Sequence, residues 1–118
     1  MFEILMYDTE DGRCPVQEFL DSLDCKLRMK TVRTIELLEH NGTLLREPYS
    51  KSIGEGILEL RVCQGNNISR VLYFFVKGNK IILTNGFIKK TSKTPIREKE
   101  LAIKYRADYL RRFNNDKI

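Results

Sequence analysis

The stretch 56–95, GILELRVCQGNNISRVLYFFVKGNKIILTNGFIKKTSKTP, most constrains what this chain can fold into. Three short runs rich in branched and aromatic residues, 57–63, 68–76 and 80–87, are separated by QGNN (64–67) and KGN (77–79). Such side chains suit a pleated, half-buried surface, and Gly and Asn supply the backbone conformations of tight hairpins. The runs predict a three-stranded antiparallel meander, with helices from both ends of the chain covering its apolar face.

The flanking segments supply those helices. Residues 2–7 (FEILMY) read as a first strand and 8–14 as a turn. Pro15 suits the first turn of a helix, where its missing N–H needs no partner. A short helix over 15–23 then places Val16, Phe19, Leu20 and Leu23 on one stripe. Asp24 can cap a second helix over 25–40, with Leu27, Val32, Ile35 and Leu38 on its buried face and Asn41-Gly42 ending it. The two helices are expected to form an antiparallel hairpin. Residues 43–53 are expected to run along the surface, since Glu47-Pro48 argues against helix. Thr94 as N-cap and Pro95 as first helical residue open a long amphipathic helix to 113, with Leu101, Ala102, Tyr105, Tyr109 and Phe113 as its apolar stripe. The expected order is β-α-α-β-β-β-α, an α+β fold in a single domain spanning 1–118.

Composition narrows the class. The chain is 42% apolar and 31% charged, a folded rather than a disordered composition. The formal net charge of +5 favours an anionic partner without selecting one. Cys14, Cys25 and Cys63 include no CxxC pair, and His40 is the one histidine, which argues against a zinc site. No apolar stretch approaches a membrane span, and the N-terminus lacks the pattern of a leader, so a cytoplasmic protein with reduced thiols is expected.

Chemistry is expected on the second face of the sheet. Alternation puts Leu58, Leu60 and Val62 on one side and Ile57, Glu59 and Arg61 on the other. The run 70–76 is apolar on both sides apart from Arg70, which marks a central strand. Arg61 and Arg70 fall at facing positions of one hairpin. Lys51 precedes the meander, and Lys89, Lys90 and Lys93 follow it. Guanidinium and ammonium groups gathered on such a floor suit phosphate recognition, Arg through fixed bidentate donors and Lys as a point charge. Tyr73, Phe74 and Phe87 are candidates for stacking a base. The bland alternative is a solvated charged surface in which Arg61 pairs with Glu59 or Glu55.

The segments ILELRV (57–62), SRVLYFF (69–75), GFIKKTSKTP (86–95) and REKELA (97–102), in this order and spacing, resemble the phage-derived HigB-like branch of the RelE/ParE toxin superfamily. The resemblance covers nearly the whole chain and implies a RelE-like fold. It implies the toxin of a type II toxin–antitoxin pair, a ribosome-dependent endoribonuclease that cuts translated mRNA in the ribosomal A site. It also implies a HigA-like helix-turn-helix antitoxin as partner, with operator DNA reached only through the toxin–antitoxin complex. RNA brings its own nucleophile, the 2′-OH, so no metal or cofactor is required. The protein must align that hydroxyl, neutralise developing charge and assist proton transfer. Arg61 and Arg70 are the candidates for phosphate and transition-state contact, Lys90 and Lys93 for charge stabilisation or protonation of the leaving oxygen, and Lys51 for either role. Lys89, Phe87, Tyr73 and Phe74 are the remaining RNA-binding candidates. Where the family often has His before Gly-Phe, this chain has Asn85, which cannot exchange a proton near neutral pH. Two other readings stand beside the nuclease: a ParE-like inhibitor that binds DNA gyrase, and an inactive toxin retained in a repressor complex.

Overall fold

The computed structural model describes residues 1–89 and 93–113. The elements are β1 (Glu3–Met6), α1 (Pro15–Ser22), α2 (Cys25–Asn41), a 3-10 turn (Gly42–Leu44), β2 (Ser50–Gly54), β3 (Ile57–Gln64), β4 (Asn67–Val76), β5 (Lys80–Lys89) and α3 (Ile96–Phe113). The fold is α+β. Its five strands lie in the order β1-β5-β4-β3-β2, antiparallel throughout except for β1, which pairs with β5 in parallel. The predicted meander is therefore present as β3-β4-β5, with β4 central. Among the described residues no helix is long and apolar enough to cross a membrane.

The sequence reading missed β2. Its residues, SKSIG, carry one large apolar side chain, too few for a strand signal, and the segment pairs with β3 through a sharp turn. Gly54, Glu55 and Gly56 all have positive φ there (98°, 58° and 79°), which glycine adopts without strain. The Glu55 carbonyl accepts a hydrogen bond from Arg106 of α3. The GEG sequence thus serves a hairpin that the last helix clasps.

The two ends of the chain cover opposite faces of the sheet. On one face Leu60, Val62, Val71, Tyr73, Ile81 and Leu83 pack against Val16 and Leu20 of α1 and Leu27, Ile35 and Leu38 of α2. On the other, Ile57, Leu72, Phe74, Ile82 and Phe87 pack against Ala102 and, at the margin, Tyr105 and Tyr109 of α3. Each such side chain fully buried contributes roughly 1.5–3 kcal/mol, so both layers are needed to hold so thin a sheet. α1 lies so close to β5 that a Cβ at Gly86 would overlap the ring of Phe19.

Local signals held in some places and shifted in others. Asp24 Oδ1 accepts from the Leu27 amide at 2.9 Å, the cap its position predicts. Val32, expected in the core, is 39% exposed; Thr31 and Thr34 are buried instead. Burial of Thr31 is supported by its hydroxyl, which bonds to the Leu27 carbonyl at 2.8 Å and to Ser69 Oγ at 3.1 Å. Phe113, expected in the apolar stripe of α3, is 59% exposed and keeps only its edge of that stripe, its ring centroid 5.0 Å from that of Tyr109. The Pro95 carbonyl accepts the first bonds of α3, from Glu98 and Lys99, so Pro95 takes the capping place expected of Thr94.

Candidate functional site

A charged residue inside an apolar strand marks the site. Glu59 faces α3 from β3, and its side chain is completely buried. Its Oε1 lies 2.7 Å from Arg70 Nη1 and 3.2 Å from Arg61 Nε. Its Oε2 accepts from the Thr94 hydroxyl and lies 3.9 Å from Lys89 Nζ. Burial pushes the Glu59 carboxyl up, but the Thr94 hydroxyl and the charges of Arg70, Lys89 and Arg61 outweigh it and leave it below its usual range. A carboxylate so buried is tolerable only because these partners satisfy it. It gathers like charges that would otherwise repel.

Backbone register explains the convergence. Arg61 and Arg70 are direct cross-strand partners, and Lys51 stands opposite Glu59 in the β2–β3 pair. Lys89 arrives by a different route. β5 carries a bulge near Thr84, between the pairs Leu72–Asn85 and Tyr73–Leu83. The extra residue reverses the alternation, so Asn85, Phe87 and Lys89 point to the α3 face while Leu83 points to the other. At the bulge the Thr84 hydroxyl bonds to the Leu72 carbonyl at 3.1 Å and to Asn85 Oδ1 at 2.7 Å. Asn85 Nδ2 reaches Glu98 Oε1 at 3.0 Å and so ties β5 to the first turn of α3.

Beside the cluster lies an open cleft of about 380 Å³, lined by Lys51, Ser52, Ile53, Arg61, Lys93, Thr94, Ile96 and Lys99. Four of the eight lining residues are cationic and none is acidic, because Glu59 is sealed beneath. The Arg61 side chain is 23% exposed and that of Arg70 only 8%. Arg61 therefore presents a guanidinium to the cleft, while Arg70 backs it from within. Burial pulls the Lys89 ammonium below its usual range, with Arg70, Arg61 and Lys51 acting in the same direction against Glu59.

The predicted site residues fall into distinct places. Lys51, Arg61 and Lys93 line the cleft. Arg70 and Lys89 stand behind it, paired with Glu59. Lys90 lies outside the described residues. Tyr73, expected on a stacking platform, is buried on the opposite face against the helical hairpin, with its hydroxyl bonded to Ser50. Phe74 and Phe87 do face α3 but are buried beneath it, 2% and 9% exposed. None of the three offers a ring to a base in this arrangement: Phe74 and Phe87 lie under α3, which covers the face that looked open in the sequence, and Tyr73 lies under the α1–α2 hairpin on the other face. Glu59, Thr94 and Lys99 went unassigned as site residues. A glutamate alternating with arginine in an otherwise apolar strand was the available signal for Glu59. Nothing in the sequence marks Lys99 apart from its neighbours.

The arrangement can bind an anion and stabilise added negative charge. Among the described residues no group of three or more His, Cys, Asp or Glu side chains is placed to hold a metal ion.

Two comparisons bear on what such a site belongs to. The curated proteins return no match to the chain. The family described as "Phage derived protein Gp49-like (DUF891)" matches residues 18–107, from within α1 to within α3, which takes in both helical layers, β2 to β5 and the whole cation cluster. The chain belongs to this Gp49-like phage-derived family, a member of the RelE/HigB-type toxin group associated with the toxins of toxin–antitoxin systems.

Proposed function

We propose that this protein is the toxin of a type II toxin–antitoxin pair and acts as a metal-independent, ribosome-dependent endoribonuclease on translated mRNA. The observation that carries the reading is the cationic cleft floored by a buried Glu59, with Arg61 held at its wall. RNA cleavage by the 2′-OH needs such a site. The 2′-oxygen attacks the adjacent phosphorus, the bond to the 5′-oxygen breaks, and a 2′,3′-cyclic phosphate remains. The 2′-OH gives up its proton and the departing 5′-oxygen gains one. Charge accumulates on the non-bridging oxygens, where a fixed guanidinium acts best. Arg61 takes that role, and Arg70 holds the electrostatic field behind it. Lys51 and Lys93, which line the same cleft, are our candidates for exchanging the protons, with Lys90 as the further candidate carried over from the sequence.

Membership of the toxin group also supports an antitoxin partner, for which we propose the helix-turn-helix type, with operator DNA contacted through the complex. The test is induction of the toxin alone, followed by mapping of mRNA 5′ ends. Cuts confined to translated regions and lost in Arg61→Ala are expected. Intact mRNA with arrested growth would replace this reading by gyrase inhibition, and intact mRNA with normal growth by an inactive partner in a repressor.

A further inference from the structure

Arg61 reaches the cleft while its Nε is held by Glu59 at 3.2 Å. Lys99 lines the same cleft from the start of α3 without such a counter-ion. Its place is marked by the space that Gly54 leaves, since a Cβ on Gly54 would lie 3.1 Å from Lys99 Nζ. The ammonium therefore stands over the end of β2. Lys99 is half-buried, and its ammonium makes no hydrogen bond or ion pair among the described residues. Its neighbour Glu98 is turned to Asn85 instead. Near the start of a helix a cation opposes the helix dipole, so helix stability does not account for Lys99 either. Gly54 stands opposite Ile57 in the β2–β3 pair, and Arg61 lies further along β3, at a backbone separation of roughly 13 Å from the rise of a strand. Lys51 and Ser52 of β2 line the cleft between them. A cleft with cations at both ends and no acidic residue in its lining matches a chain of repeated negative charges better than a single anion.

We propose that Lys99 binds a second phosphate of the RNA, at the opposite end of the cleft from the phosphate that Arg61 contacts, so that the strand lies along β2. The proposal rests on the RNA-cleaving reading and deepens it. Arg61 acts at the phosphate that reacts, and Lys99 is a binding residue that takes no part in bond making. Two phosphates held apart fix the register of the strand and, with it, the angle at which the 2′-OH meets its phosphorus. A backbone contact carries no sequence information of its own, so Lys99 contributes affinity and register without base preference. A lysine suits that task, because a mobile point charge follows a flexible backbone where a fixed guanidinium fork does not.

The test uses the full chain and a short single-stranded RNA made uncleavable by 2′-O-methylation, both free and on ribosomes programmed with it. Affinity is measured against salt. One single-strand phosphate contact contributes about 0.7 to the slope of log K against log salt, so Lys99→Gln should flatten the slope by about that amount and weaken binding equally for all sequences. Lys99→Arg, which keeps the charge, should keep the slope. A methylphosphonate, which removes the charge of one linkage, is then moved along the strand. One linkage should weaken binding by wild type and by Arg61→Ala yet leave Lys99→Gln unaffected, a dependence that a structural role would not produce. An unchanged slope in Lys99→Gln, no linkage silent in it, the same linkage silent in Arg61→Ala, or no wild-type binding in either setting would overturn the proposal. The underlying reading fails separately. A Lys99-dependent linkage in a protein that leaves cellular mRNA intact upholds the contact and sinks the nuclease; Arg61-dependent cleavage with no Lys99-dependent linkage sinks only the second contact.

Discussion

Glu59 and Arg70 form an ion pair of 2.7 Å in which the carboxylate is fully withdrawn from solvent and the guanidinium nearly so. Two more cations, Arg61 and Lys89, share the same carboxylate. Replacing Glu59 by Gln keeps the shape and removes the charge, which leaves buried cations without their counter-ion. The loss expected is roughly 3–5 kcal/mol, the usual scale for breaking a buried pair from one side. Urea titration of Glu59→Gln against wild type measures it. A loss under about 1 kcal/mol would mean that the cluster relaxes to solvent.

The same carboxylate sets an acid limit. Its folded pKa is depressed below the ordinary 4.5, so its contribution is fully present above that value and is lost as pH falls below it. The unfolding midpoint in urea should drop steeply on acidification through this window in the wild type. In Glu59→Gln that part of the slope should vanish.

Arg61 and Arg70 are cross-strand partners with different surroundings, and their alanine variants should separate. Arg61 opens on the cleft, so under the proposed RNA-cleaving function Arg61→Ala should lower cleavage by a hundredfold or more, on the scale of a lost charge-stabilising donor, with stability within about 1 kcal/mol of wild type. Arg70→Ala should lower stability by roughly 3–5 kcal/mol, because it strips the buried Glu59 of its nearest cation. Cleavage assays paired with thermal unfolding decide the matter; equal stability losses would refute the division of roles.

At the other end of α3, Tyr7 donates to Asp108 Oδ2 at 2.6 Å and stacks on Tyr105 with ring centroids 4.6 Å apart. Arg112 sits 2.9 Å from the same carboxylate. Burial, with Asp108 adding to it, pushes the Tyr7 phenol from 10.0 up to about 12. A raised acid pKa means the folded state keeps a proton that the unfolded chain gives up. This contribution is therefore present below pH 10.0 and is lost as pH climbs toward 12. Alkaline unfolding should set in over that interval, and Tyr7→Phe should flatten it while lowering stability near neutrality by about 1 kcal/mol, one net hydrogen bond.

Gly86 tests the contact between α1 and β5. An added Cβ would meet the Phe19 ring, so Gly86→Ala should force the helix outward and cost roughly 1–3 kcal/mol. Gly86→Ala combined with Phe19→Leu should recover part of that loss in the same urea assay, because the two changes act on one contact.

The sequence by itself determined the elements whose signals are local. The meander β3-β4-β5, the Asp24 cap of α2 and the extent of α3 follow from alternation, turn residues and helical stripes, each written within a dozen or so neighbouring positions. The cross-strand meeting of Arg61 and Arg70 was legible for the same reason, since a tight hairpin fixes its own register. Only the tertiary structure decided the rest. β2 forms because β3 offers it a ladder, with little help from its own side chains. The face occupied by Lys89 depends on one extra residue at the β5 bulge, and period-two counting along the sequence cannot register such an insertion. Whether Phe74 and Phe87 are platform or core depends on where α3 lies, and whether Glu59 is surface or keystone depends on Arg70, Lys89 and Thr94 arriving from three other segments. Burial and ion pairing are set by residues far apart along the chain, and those distances are fixed only when the chain closes.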